Sequence, residues 1–95
     1  MRVLLVKTSS MGDIIHALPA VTDAARAIPG IQFDWVVEEA FQEIPRWHPA
    51  VDRVIVIAQR RWRKAPIEAV RSGEWRDFRD ALREQTYDLV LDSQG

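Results

Sequence analysis

Four short runs of apolar residues, separated by helical patterns, constrain the fold of this 95-residue chain more than any other feature. The runs cover residues 3–6, 33–37, 54–57 and 89–91, and each is nearly continuous in apolar residues. Continuous runs are typical of strands that are covered on both faces in a parallel sheet, whereas half-exposed strands alternate apolar and polar residues. The sequence therefore predicts a parallel sheet with helices packed against both faces.

The first helical pattern follows directly after the first run. From Ile14 onward its apolar residues recur at spacings of three and four, which forms one apolar stripe along a helix. Pro29-Gly30 predicts the end of this helix, because proline and glycine both stop helical backbone. Pro19 falls inside the pattern, and we expect a kink or an irregular first turn and a half, because proline lacks the backbone N–H that a helix interior uses.

Two shorter helices are predicted further along the chain. One spans residues 39–44 and is closed by Pro45, and the other spans residues 74–85 and begins after Ser72-Gly73. The apolar residues that this third helix is expected to bury are Trp75, Phe78 and Leu82. Strands and helices thus alternate as in a doubly wound α/β unit, and we predict a Rossmann-like sheet of strand order 3-2-1-4 with the first strand inside.

The composition and the spacing of polar residues argue against several classes of function. No cysteine occurs, which removes disulfide scaffolds, thiolate metal sites and thiol nucleophiles. The formal net charge is −1 at pH 7, so no global field attracts nucleic acid. His16 and His48 are isolated and lack matching carboxylates, so no metal site is expected; His48 is interpreted as structural and His16 as facing water.

The loop between the first strand and the first helix contains several residues whose side chains can bind a ligand or transfer a proton. Residues 7–13 contain a lysine, three hydroxyl residues, a glycine and an aspartate, at the strand end where ligands of such sheets collect. Free backbone N–H groups at a helix N-terminus suit an anion or a sugar hydroxyl. The loop lacks the glycine and lysine spacing of a P-loop and the further glycines of a dinucleotide fingerprint. The sequence therefore indicates a site that differs from both common nucleotide motifs.

Asp13 and the basic run Gln59–Lys64 are the two strongest candidates for this chemistry. Asp13 suits a general base, although an acidic residue is also common in the first turn of a helix, where the dipole lowers its pKa. The basic run holds four cations in a predicted loop at the same edge of the sheet, which suits a phosphate or carboxylate ligand. A solvated loop remains the alternative, and nucleic acid stacked on Trp62 is the least favoured.

Beyond these patterns, almost the whole chain resembles the start of the lipopolysaccharide heptosyltransferase I family of ADP-heptose glycosyltransferases. The resemblance is carried by residues 1–16, which include Ser-Ser-Met-Gly-Asp at residues 9–13, and by Arg-Arg-Trp-Arg-Lys at residues 60–64. Further matches lie at residues 33–39, 44–48, 87–88 and 92–95. It implies a GT-B enzyme, in which two Rossmann-like domains face each other. We accordingly expect residues 1–95 to be a partial acceptor-binding domain without its C-terminal donor-binding domain, and to be inactive alone.

The resemblance also implies an activity and a set of site residues. Heptose would pass from ADP-L-glycero-D-manno-heptose to the first Kdo of Kdo2-lipid A, with inversion and without a metal or other cofactor, at the cytoplasmic face of the inner membrane. Asp13 matches the family's catalytic base. The residues implied in acceptor binding are Ser9, Ser10, Met11, Gly12, Arg60, Arg61, Arg63 and Lys64, with Lys7 and His16 as further candidates. Another ADP-heptose-family transferase and a non-catalytic module for a phosphorylated ligand remain open.

Overall fold

The computed structural model describes residues 1–93, which form a four-stranded parallel sheet with helices on both faces. The strands are β1 (Arg2–Val6), β2 (Gln32–Glu38), β3 (Val51–Ile57) and β4 (Leu89–Asp92). Their order in the sheet is β3-β2-β1-β4, and each neighbouring pair is parallel. The predicted α/β class and the predicted strand order are both confirmed.

Helices connect the strands. They are α1 (Met11–Ala27), a 3-10 helix (Glu39–Phe41), α2 (Glu43–Arg46), α3 (Gln59–Lys64), α4 (Pro66–Arg71) and α5 (Glu74–Arg83). The predicted first and third helices correspond to α1 and α5. Pro19 lies inside α1, which continues through it to Ala27. No helix within residues 1–93 is long and apolar enough to cross a membrane.

Three predictions about the helices are wrong. Pro45 does not end the second helix but is the third residue of α2, where its missing N–H would have no partner within the helix. The basic run is not a loop, because it forms α3, and Pro66 begins α4 directly after it. Trp75 is 46% exposed instead of buried, since its ring packs edge-on against Trp62 at the surface, with centroids 5.8 Å apart.

The sheet buries apolar side chains on both faces of β1 and β2. The prediction that every strand is covered is wrong for β4, whose Leu89, Val90 and Leu91 are exposed at the edge of the sheet. Val3 of β1 packs on one face against Ile14 and the rest of the apolar stripe of α1. Leu4 packs on the other face, in a cluster that includes Ile55 of β3 and Phe78 of α5. Successive residues of β1 thus point into opposite cores, which explains why the strand is apolar without interruption.

The parallel arrangement brings the segments that follow the strands to one edge of the sheet. The segment after β1 is the opening loop, and α3 follows β3. The carboxyl end of β4 lies beside that of β1, because Asp92 is in register with Val6. The predicted contribution of Ser93 to this edge can be followed, whereas Gln94 and Gly95 lie outside the described residues. The chemistry-bearing segments are therefore placed next to one another by topology alone.

Candidate functional site

The opening loop is fixed by hydrogen bonds to its two neighbouring strands. Glu38 N donates to Thr8 O at 3.0 Å, and the indole Nε1 of the fully buried Trp35 donates to Lys7 O at 3.0 Å. On the other side, Lys7 Nζ donates to Ser93 O at 2.7 Å. The backbone of the loop is thus held by the core of the sheet, while its last residues reach the surface.

Asp13 lies in the first turn of α1 and is held by Ser10, the residue that precedes the helix. Ser10 N donates to Asp13 Oδ2 at 3.3 Å, and Ser10 Oγ donates to the same oxygen at 3.1 Å. These two hydrogen bonds, followed by the charge of Lys7, lower the pKa of the Asp13 carboxyl. The predicted direction is confirmed, although the main cause is Ser10. The carboxylate is exposed, so a ligand at this edge has access to an ionised group.

A cleft of about 360 Å³ lies between the opening loop and α3. Its lining consists of Ser9, Ser10, Glu38, Ala40, Phe41, Gln59, Arg60 and Arg63. Glu38 Oε2 accepts a hydrogen bond from Gln59 N at 3.2 Å, which ties the start of α3 to the end of β2. Two sets of candidates that are about fifty residues apart in sequence, the serines and the arginines, therefore share one cleft. Asp13 is not part of the lining, but its carboxylate accepts a hydrogen bond from Ser10, which is.

Arg61 makes different contacts from Arg60 and Arg63. Its guanidinium donates to Glu74 Oε1 at 2.7 Å and to Glu74 Oε2 at 2.6 Å, and its Nε donates to Glu39 at 3.3 Å. Trp62 Nε1 also donates to Glu74, at 3.0 Å. The hydrogen bonds from Arg61 and then from Trp62 lower the pKa of Glu74 to about 2. Arg61 is therefore engaged in joining α3 to α5.

The remaining candidates lie on the surface outside the cleft. They are Met11, Gly12, His16 and Lys64, all of which are exposed. The expectation that His16 faces water is confirmed. A Cβ atom at Gly12 would meet nothing within 4 Å, so packing does not demand glycine at this position.

His48 has a structural role, as predicted. Its Nδ1 accepts a hydrogen bond from Ala50 N at 3.0 Å, and its Nε2 lies 2.8 Å from Thr22 Oγ1. The ring thus joins α1 to the turn before β3. Within residues 1–93, no group of three or more metal-ligating side chains is close enough together to hold a metal ion.

An ion cluster in the amino-terminal half of the sheet was not predicted from the sequence. Asp34 of β2 is fully buried and accepts hydrogen bonds from Arg2 Nη2 at 2.7 Å, from Arg53 Nε at 3.1 Å and from the Tyr87 hydroxyl. Arg2 Nη2 also contacts Asp52 Oδ2 at 2.7 Å. The available signal was a carboxylate inside an otherwise apolar strand, because a buried charge needs partners.

Comparison with known proteins shows what this chain is similar to. No protein-family model matches the chain. All 95 residues align with lipopolysaccharide heptosyltransferase 1 of Pseudomonas aeruginosa at 72% identity and with that of Escherichia coli K12 at 63% identity. The chain spans 27% of the first relative and 30% of the second.

Two solved structures agree with the sequence comparison. The chain superimposes on E. coli heptosyltransferase WaaC with ADP at a TM-score of 0.94 and 63% identity, over 99% of this chain and 29% of that one. The same protein with ADP-2-deoxy-2-fluoro heptose gives a TM-score of 0.92 at 63% identity, over 99% of this chain and 30% of that one. The predicted resemblance is confirmed: along its whole length this chain is homologous to the lipopolysaccharide heptosyltransferase 1 family, of whose members it spans less than a third.

Proposed function

We propose that this chain forms the acceptor side of a heptosyltransferase in lipopolysaccharide core biosynthesis. The enzyme transfers heptose from ADP-L-glycero-D-manno-heptose to the first Kdo of Kdo2-lipid A. The observation that carries the proposal is the 63–72% identity, over all 95 residues, to proteins named lipopolysaccharide heptosyltransferase 1. The neighbour structures with ADP and with an ADP-heptose analogue support a nucleotide-sugar donor.

In this proposal the described residues belong to a GT-B enzyme that works at the cytoplasmic face of the inner membrane. The donor is held mainly by a second domain that these residues do not include. The first domain then supplies the base and the acceptor contacts. Transfer therefore requires both domains, and residues 1–95 alone are expected to give no product.

Asp13 acts as the general base of an inverting transfer that uses no metal. The acceptor hydroxyl oxygen attacks the anomeric carbon, ADP leaves with the electron pair of the broken bond, and the hydroxyl proton passes to the Asp13 carboxylate. The lowered pKa keeps Asp13 ionised and able to accept a proton, but it also makes the carboxylate a weak base. Close positioning offsets that weakness, and the two hydrogen bonds from Ser10 orient the carboxylate.

Arg60 and Arg63 bind the acid groups of the acceptor in this proposal. Both line the cleft that begins at Ser9 and Ser10, and guanidinium groups pair with carboxylates and phosphates through two parallel hydrogen bonds. The serine hydroxyls suit the sugar hydroxyls beside those acids. An acceptor that carries both acids and sugar hydroxyls, such as a Kdo glycolipid, matches this combination.

Replacing Asp13 in the full-length protein tests the base assignment. We expect Asp13→Ala to lower kcat by about 10²- to 10⁴-fold, the usual contribution of a general base, with little change in acceptor affinity. Asp23→Ala removes an exposed carboxylate of the same helix that is not part of the cleft lining, so its turnover should match that of the wild type. Urea unfolding of both variants separates catalysis from folding. Normal turnover by Asp13→Ala would make the assignment wrong.

A non-catalytic module for a phosphorylated ligand is the second candidate. The observation that favours it is the lining of the cleft, which contains the serines and two arginines but not Asp13. Such a module would bind Kdo2-lipid A or inorganic phosphate equally well with Asp13 replaced, and the full-length protein would form no heptosylated product. An assay of the full-length protein with other core acceptors separates the heptosyltransferase I activity from that of a related ADP-heptose transferase.

A further inference from the structure

One acidic residue, Glu38, belongs to the cleft lining that contains Arg60 and Arg63, and it is the only acid of that lining in the described part of the chain. It is neither the proposed base nor one of the proposed acid-binding residues. A carboxylate near two guanidinium groups weakens the binding of a simple anion, because like charges repel. Its position therefore calls for a role, either in holding the fold or in selecting the ligand.

Glu38 is the last residue of β2 and is held on two sides. Its backbone N donates to Thr8 O in the opening loop at 3.0 Å, and its Oε2 accepts a hydrogen bond from Gln59 N at the start of α3 at 3.2 Å. The residue is half-buried. The carboxylate thus has a fixed position where the opening loop and α3 meet, so that a ligand would not have to order it.

The charges of this cleft do not neutralise one another. In the part of the chain that the structure describes, Arg60 and Arg63 form no ion pair with Glu38 or with any other carboxylate. Arg61 and Glu74, by contrast, lie 2.6 Å apart and neutralise each other outside the cleft. The cleft therefore offers a ligand both cations and a carboxylate.

The Glu38 carboxylate can accept further hydrogen bonds. An ionised carboxylate has about four acceptor positions, and among the described residues this side chain receives one hydrogen bond, from Gln59 N. Only a donor such as a hydroxyl group can occupy the remaining positions. Ala40 and Phe41 add apolar surface to the same lining, which suits the carbon frame of a sugar.

We propose that Glu38 selects a sugar acid over a simple anion. A hydroxyl group of the ligand donates a hydrogen bond to the Glu38 carboxylate, while the acid group of the same ligand pairs with Arg60 and Arg63. An anion without a donor faces the charge of Glu38 and gains nothing from it, so the same side chain attracts one class of ligand and disfavours the other. This role rests on the proposed function, because the Kdo acceptor is a hydroxylated acid of this kind.

Binding titrations of the full-length protein with free Kdo and with sulfate test this role. Kdo carries a carboxylate and several hydroxyl groups, whereas sulfate at neutral pH has only acceptor oxygens. Glu38→Gln keeps an oxygen for Gln59 N and removes the charge. We expect it to lower the affinity for Kdo by about tenfold, since a charge-assisted hydrogen bond is lost, and to raise the affinity for sulfate by about threefold, since a repulsion is removed.

Glu39→Gln is the matched control, because it makes the same change at the neighbouring residue. Glu39 accepts a hydrogen bond from Arg61 Nε at 3.3 Å and is not part of the cleft lining. The ratio of Kdo affinity to sulfate affinity in this variant should stay within about twofold of the wild-type ratio. Urea unfolding checks that both variants fold.

The ratio of the two affinities distinguishes ligand selection from a purely structural role of Glu38. Equal losses of affinity for both probes in Glu38→Gln, an unchanged ratio, or a wild type that binds neither probe would overturn the proposal. In a heptose-transfer assay, the KM for Kdo2-lipid A should rise by about tenfold in Glu38→Gln with little change in kcat. Transfer with an unchanged KM overturns the role of Glu38 and leaves the proposed function in place. An altered probe ratio without any transfer supports the role of Glu38 and contradicts the proposed heptosyltransferase activity.

Discussion

The two ends of the same sheet use charged residues in opposite ways. In the amino-terminal half, the fully buried Asp34 is enclosed by Arg2 and Arg53, so these charges neutralise one another inside the protein. At the carboxyl edge, Asp13 and Arg60 are exposed. The first arrangement has little capacity left for a ligand, whereas the second offers charges to the solvent.

Desolvation accounts for the difference. A carboxylate removed from water is tolerated only where donors surround it, so Asp34 requires several partners at short distance. An exposed carboxylate at a helix start is solvated and needs no such enclosure, so Asp13 can be retained for a ligand. Arg61 shows that position in the chain does not decide between the two uses, because it belongs to the basic run and yet is committed to Glu74.

The largest expected effect on stability comes from opening the amino-terminal cluster. Asp34→Ala leaves two partly buried guanidinium groups without their shared carboxylate and should cost about 3–5 kcal/mol of unfolding free energy. Urea unfolding of the full-length protein measures the loss. Asp52→Asn, at a half-exposed partner of Arg2, is the control and should cost at most about 1 kcal/mol. Equal, small losses in both variants would contradict a structural role for the cluster.

The next largest effect is on acceptor affinity, which should distinguish Arg60 and Arg63 from Arg61. If the proposed acceptor is right, Arg60→Ala/Arg63→Ala should weaken binding of Kdo2-lipid A by about ten- to hundredfold, because the variant removes both guanidinium groups of the cleft lining. The urea midpoint should stay unchanged. Arg61→Ala should lower the urea midpoint, because it releases α3 from α5, and should change acceptor affinity much less. Binding titrations and unfolding curves on the full-length variants give both quantities. Equal loss of affinity in the two variants would place Arg61 in the binding site as well.

The fold could be predicted from sequence where burial leaves a local pattern. Continuous apolar runs identified all four strands of the described residues, and the stripe beginning at Ile14 identified α1. For β1, β2 and α1 the pattern reflects the core that covers them, whereas β4 is equally apolar and yet exposed. The sheet order then brought the opening loop and the basic run to one edge. The meeting of Ser9 with Arg60 in one cleft follows from that rule.

The remaining features depend on contacts between residues that are distant in the sequence. The segment Gln59–Lys64 has no apolar stripe, and its helix is held by Glu38 at Gln59 N and by Glu74 at Trp62 Nε1. The partner of Arg61 follows from the same packing of α3 against α5. A local pattern carries no information about such pairs. Neither the helix α3 nor the pairing of Arg61 with Glu74, as opposed to the cleft position of Arg60 and Arg63, was therefore predictable.

The smallest expected effect is the pH dependence of the Arg61–Glu74 pair. Its hydrogen bonds lower the pKa of Glu74 from the ordinary 4.5 to about 2, so the folded state favours the ionised form. The contribution of Glu74 to stability is therefore complete above about pH 4.5 and declines as pH falls toward 2. The difference in urea midpoint between wild type and Glu74→Gln should accordingly shrink between about pH 6 and pH 3.

Asp80→Asn is the control, because it removes an exposed acid of α5 whose contact with Arg79 is at 4.0 Å. Its difference in urea midpoint from the wild type should vary less with pH. A Glu74→Gln difference that does not vary with pH would mean that Arg61 is not held by the Glu74 carboxylate and is available to a ligand, like Arg60 and Arg63.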